Sequence, residues 1–196
     1  DQHQVLATDL HGGGGEETCD VLDLDALRAV CARVDAVVHL AAAAQRDDLS
    51  QRENETCVFD TRLKGTHNLL QAAQEANLRR VVLISDLRVL ASYDADLMVS
   101  EDFVPPTTEA EPLSAYLAEL ITREYARLGP PGQILTLRLG NVVDPAALAS
   151  DARYEDGWLA LDDAVAAILR GLKCERFAGM GEWGPVSYTH LTLPTT

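Results

Sequence analysis

The chain has 196 residues, 47% of them hydrophobic and 24% charged, enough for one globular domain with a sizeable core. Its 31 acidic side chains outnumber 16 basic ones for a formal charge of -15, and no basic cluster longer than Arg79-Arg80 interrupts the acidity, which argues against nucleic acid or an anionic membrane as partner. Cys19, Cys31, Cys57 and Cys174 show no C-x-x-C spacing, so neither zinc nor a disulfide framework is expected; the thiols read as reduced, as in a cytoplasmic protein, and no apolar run reaches the roughly 20 residues of a membrane helix.

In chain order, Val5 to Asp9 reads as a strand, Asp25 to Arg33 as a short helix and Ala36 to Leu40 as a buried strand. Gly12 to Gly15 lead into Glu16-Glu17, which would repel phosphate, so this run reads as a flexible loop rather than a phosphate cradle. A long helix is expected over Asp60 to Ala76, with Leu63, Leu69, Leu70 and Ala73 on its core face and Asn77 near its end. Next come the apolar strand Val81 to Ser85, a loop rich in Asp and Pro, a helix carrying Ser114-Ala115-Tyr116, and the strand Ile134 to Arg138. The run Trp158 to Leu161 reads as a strand entering a last helix, Asp162 to Leu172, with Asp162 or Asp163 as N-cap. Strands alternating with amphipathic helices predict an α/β fold, a parallel sheet covered on both faces.

Five blocks in this order resemble the extended short-chain dehydrogenase/reductases, the NAD-dependent epimerase/dehydratase family: His39-Leu40-Ala41-Ala42, Gly65 to Ala73, Arg80 to Ser85, Ser114-Ala115-Tyr116 with Glu124, and Leu137 to Pro145. The resemblance implies a Rossmann-like doubly wound sheet that binds NAD(P), with a smaller C-terminal part over a substrate that is often a nucleotide sugar. On it, residues 1–145 form a partial dinucleotide-binding domain and 146–185 a reduced substrate part. Residues 186–196 resemble the translation of a sequencing adapter and are set apart from the fold. The family's first strand, glycine-rich turn and first helix are expected upstream of Asp1, so the chain as written should hold a dinucleotide poorly and be inactive.

The resemblance also implies site residues. Asp9, at the end of a strand, is placed to accept hydrogen bonds from both adenosine ribose hydroxyls and to repel a 2'-phosphate, favouring NAD over NADP; the alternative is a solvated strand-end acid. Asp20 and Val21 resemble the adenine-edge contact, Ala41 and Ala42 the small residues beside the cofactor, and Leu40 and Ser85 join this set. His39 reads as a packing histidine.

Tyr116 occupies the place of the family's catalytic tyrosine, but the lysine expected one helical turn later is Leu120. Asp86 stands where a serine or threonine is expected and Arg62 where an asparagine is. Losing a cation and gaining an acid both disfavour a phenolate, so Tyr116 is either the acid/base or a plain packing tyrosine. An Arg62–Asp86 pair would bring a guanidinium towards Tyr116 in partial replacement of the ammonium, with Arg88 as another stand-in. Two functions follow: an oxidoreductase or epimerase/dehydratase acting on a sugar or nucleotide sugar, or a catalytically silent relative that binds a dinucleotide or a partner protein. A homodimer is compatible with either.

Overall fold

The computed structural model describes residues 3–94, 96–100, 103–128, 133–147 and 157–174, together with the backbone of 185–188. Strand β1 (Thr8–Asp9) runs parallel to β2 (Glu17–Thr18) in a separate two-stranded sheet. Val5 is 82% exposed and unpaired, so the expected strand shrinks to its last two residues. Between them Gly12 to Gly15 all take positive φ, and Glu16 N–H donates to Gly13 O at 2.9 Å. The run is a formed turn joining two strands, and four successive positive φ angles are a conformation that glycine adopts at least cost.

Helix α1 (Leu24–Cys31) starts at Asp23, whose carboxylate accepts from the backbone N–H of Asp25 and Ala26. After β3 (Ala36–His39) comes a helix longer than the apolar pattern predicts: α2 (Gln51–Phe59), a π-helical turn over Asp60–Lys64, and α3 (Gly65–Glu75). It begins nine residues earlier than expected because Ser50 and Glu53 form a reciprocal capping box. It ends where expected, with Asn77 at φ 55 and Leu78 N–H closing on Ala73 O. Then follow β4 (Arg80–Asp86), α4 (Ala110–Arg127), β5 (Gln133–Leu139), β6 (Asn141–Val143), β7 (Trp158–Ala160), α5 (Leu161–Lys173) and β8 (Pro185–Tyr188).

The main sheet has the order β3-β4-β5-β8, all parallel, with Val37 opposite Val81 and Val81 opposite Ile134. Residues 186–188, set apart in the sequence reading, thus supply backbone to the edge strand beside β5; 189–196 lie outside the described residues. Strand side chains alternate between faces, and so do the two cores. Val81 joins Leu27, Leu69, Leu70 and Ala73 on the face covered by α1 and α3. Val82, Leu135, Leu137 and Leu139 face Ala164 and Ala167 of α5 on the other. Helices on both faces of a parallel sheet are the doubly wound α/β arrangement expected.

The N-cap of α5 is Ala160, without a side-chain bond. Because the helix already starts at Leu161, Asp162 and Asp163 lie inside its first turn, where they meet the positive end of the helix dipole instead of capping it. Among the described residues no helix is long and apolar enough to cross a membrane.

Candidate active site

In a parallel α/β sheet the strands point their C-terminal ends to one edge, where ligands bind. His39 closes β3 there and Ser85-Asp86 close β4. His39 is buried, its Nε2 lies 3.2 Å from Thr66 Oγ1, and burial with the nearby charge of Arg62 pushes its pKa down to about 4. A neutral, enclosed imidazole agrees with a packing role.

Tyr116 lies in the second turn of α4, half-buried, against the apolar cluster of Val89, Leu90 and Ala115 that also holds Leu87, Tyr93 and Phe103. It therefore sits beside the turn that follows Asp86. Its hydroxyl makes no hydrogen bond among the described residues. Leu120, one turn along the same helix, brings no charge to that face.

Asp86 caps the 3-10 turn Leu87–Leu90: Oδ1 accepts from Arg88 N–H at 2.8 Å, and Oδ2 accepts from Arg88 Nε at 2.8 Å and Nη2 at 2.6 Å. Arg88 Nη2 also reaches Glu111 at 3.0 Å. The acid that was to pair with Arg62 is thus bound by Arg88, because the capping turn folds the residue two positions on back over the carboxylate. Arg62, in the π turn, is half-buried and makes no hydrogen bond or ion pair among the described residues. Burial holds its pKa below the ordinary arginine value; Asp86 and Glu111 oppose that shift and Arg88 adds to it.

One constellation went unforeseen. Ser85, assigned to the cofactor set, turns its hydroxyl inward and donates to Glu119 Oε1 at 2.5 Å. Arg138 of β5 donates to the same carboxylate through Nε at 2.9 Å and Nη2 at 2.7 Å. Glu119 and Arg138 are 0% and 1% exposed, so α4 is fastened to β4 and β5 by a buried ion pair three residues from Tyr116. Arg138 in an apolar strand was the available signal, since a buried charge requires a counter-charge.

The cofactor candidates divide. Asp9 is exposed, and among the described residues its carboxylate is engaged through Oδ1 alone, accepting from His11 N–H at 3.1 Å. Asp20 Oδ1 accepts from Leu22 N–H at 2.8 Å. Val21 lies against Gly65, where an added Cβ would come within 2.7 Å of Val21 Cγ2, and Asn68 Nδ2 donates to Val21 O and Leu22 O at 3.2 Å each. These contacts hold the 20–22 turn on α3. Leu40 and Ala42 are exposed and Ala41 half-buried in the segment after β3. The glycine run leads into β2 rather than a helix, so it provides no pyrophosphate cradle.

A family model for the NAD dependent epimerase/dehydratase family matches residues 6–155. Among solved structures, a short-chain dehydrogenase/reductase superfamily protein from Agrobacterium tumefaciens with bound NAD is 29% identical, at a TM-score of 0.60 over 70% of this chain and 42% of that one. Uronate dehydrogenase from Agrobacterium tumefaciens is 20% identical, at 0.73 over 92% and 65%. UDP-N-acetylglucosamine 4-epimerase from Bacillus cereus is 22% identical, at 0.68 over 93% and 68%. The chain thus spans 42% to 68% of the lengths of these structures, and the likeness to the last two bears on the fold. With the parallel sheet in place and the family model matched across residues 6–155, the chain belongs to the NAD dependent epimerase/dehydratase family.

Proposed function

We propose that the chain belongs to an NAD-dependent enzyme, an epimerase/dehydratase or oxidoreductase, that acts on a sugar or nucleotide sugar through acid/base chemistry at Tyr116. The observation that carries this reading is the tyrosine itself: half-buried beside the turn that follows β4, its hydroxyl bonded to no described residue and so available to a substrate hydroxyl. Family membership supports the reaction class. The names of the fold neighbours, a uronate dehydrogenase and a nucleotide-sugar epimerase, support the substrate class.

Nicotinamide, when bound, supplies the hydride acceptor. Asp9 would receive the adenosine ribose hydroxyls, and its charge opposes a 2'-phosphate, which favours NAD over NADP. Tyr116 would take or return the proton of a substrate hydroxyl beside the turn that Asp86 and Arg88 hold in place at the end of β4. The second reading, a dinucleotide-binding relative without turnover, is favoured by Leu120, which leaves the Tyr116 face without an ammonium.

With a full-length protein, titration of NADH fluorescence followed by turnover of UDP-glucose and of D-glucuronate separates the two. The first reading expects NADH binding and a loss of roughly 10² to 10⁴ in rate for Tyr116→Phe. Equal turnover in the two proteins removes Tyr116 from the mechanism; NADH binding with no turnover in either selects the second reading.

A further inference from the structure

We propose that Arg62 binds a carboxylate on the substrate, so that this site takes sugar acids in preference to neutral sugars. The inference rests on the reading that the site accepts a sugar, and it names the class.

The argument starts from the backbone. The helix over 51–75 is α-helical except at Asp60–Lys64, where it opens into a single π turn holding Arg62. Such turns displace a side chain from its α-helical direction and concentrate at functional sites. That turn lies at the ligand-binding edge of the sheet: Thr66, four residues after Arg62, has its Oγ1 3.2 Å from Nε2 of His39, the last residue of β3, and the Arg62 charge acts on His39 and on Asp86, the last residue of β4.

The second step concerns its partners. A guanidinium carries five N–H donors, and taking it out of water demands an acceptor. Arg52, Arg79 and Arg170 also form no ion pair among the described residues, but they are exposed and solvated. Arg62 is half-buried and has none. The two acids within its electrostatic reach already serve another cation, since Asp86 gives both oxygens to Arg88 and Glu111 takes the remaining Arg88 contact at 3.0 Å. Among the described residues the site therefore holds one satisfied arginine and one, Arg62, left open to an incoming acceptor.

The third step selects that acceptor. A planar carboxylate matches the guanidinium fork through two parallel hydrogen bonds. Arg62 and Arg88 balance Asp86 and Glu111, so a monoanion leaves the cluster at a single negative charge. A phosphate dianion would double it beside two fixed carboxylates.

Calorimetric titration of a full-length protein with D-glucuronate, its neutral amide D-glucuronamide and inorganic phosphate tests this. Wild type is expected to bind glucuronate about tenfold or more tighter than glucuronamide, as a charge-assisted pair requires. Arg62→Gln should remove the preference and Arg62→Lys retain part of it. Equal binding of acid and amide by wild type, a preference that survives in Arg62→Gln, phosphate binding as tightly as glucuronate, or no sugar binding at all would each overturn the proposal. The wild-type comparison does not depend on the variants folding. NADH titration of the same samples distinguishes the two failures: NADH bound without acid-over-amide preference defeats only Arg62's role, and the preference without NADH defeats only the dinucleotide reading.

Discussion

Glu119 and Arg138 are the most deeply buried charged side chains among the described residues, and removing either takes from the other the opposite charge it is bonded to. Glu119→Gln should therefore lower stability by about 3–5 kcal/mol in urea unfolding, whereas Glu119→Leu with Arg138→Met, which removes both charges and keeps the volume, should recover most of that loss. A double variant no better than the single would place the stabilisation in the ion pair itself. Arg138 is visible in the sequence as a charge inside Ile134 to Leu139, but its partner stands 19 residues earlier on a helix whose rotation about its axis only packing fixes. Tyr116 over Leu120 was legible for the opposite reason, since both lie on one helix at a fixed spacing. His39 carries a pH dependence of its own. Folding lowers its pKa from 6.5 to about 4. Above the unfolded value both states are neutral; between 6.5 and about 4 the unfolded chain takes up a proton that the folded chain does not. Its contribution is therefore complete at neutral pH and declines as pH falls through that window, by up to roughly 3 kcal/mol. Unfolding measured at ~pH 7 and ~pH 5 should show a steeper loss in wild type than in His39→Gln, and parallel slopes would remove His39 as the source.

Elements whose own pattern carries the signal were readable, and those fixed by a neighbour were not. The strands at Val37, Val81 and Leu135 are apolar on both faces because helices cover both, so short apolar runs mark them directly. The polar first half of the long helix, Gln51 to Cys57, offers no apolar period; its start is written instead in Ser50 and Glu53, whose spacing matches the capping box that forms. Val5 and Leu6 have the composition of a strand yet form no backbone pairing among the described residues, where the ladder begins only at Ala7 O, which accepts from Glu17 N–H at 2.9 Å; composition alone makes no ladder. The same division runs through the candidate site. Asp86 and Arg62 stand out in the sequence as unusual charges and invite pairing with each other, but the local turn at Asp86 joins it to Arg88, since a contact two residues away forms at far lower entropic cost than one across two elements. The π turn that sets Arg62 apart leaves no mark in a periodic pattern, because it is one residue of slippage within a continuous helix.

At the scale of the whole molecule, a formal charge of -15 and a set of surface ion pairs respond to salt in opposite directions. Pairs such as Arg28–Glu75 at 2.6 Å and Arg33–Glu17 at 2.8 Å are exposed, and each contributes little. Their separations are far shorter than any relevant Debye length, so moderate salt leaves most of their attraction in place. The repulsion among the unpaired acids acts over ten ångströms or more, and raising NaCl from ~10 mM to ~100 mM shortens the Debye length from about 30 Å to about 10 Å, which removes much of it. Salt thus screens what destabilises the fold more than what stabilises it. The melting temperature should rise across that range, by ~2–4 °C for each kcal/mol of repulsion relieved, when followed by far-ultraviolet circular dichroism. A melting temperature that falls instead would mean that the contact pairs outweigh the net charge, and that the acidic excess lies too far apart on the surface to strain the folded state.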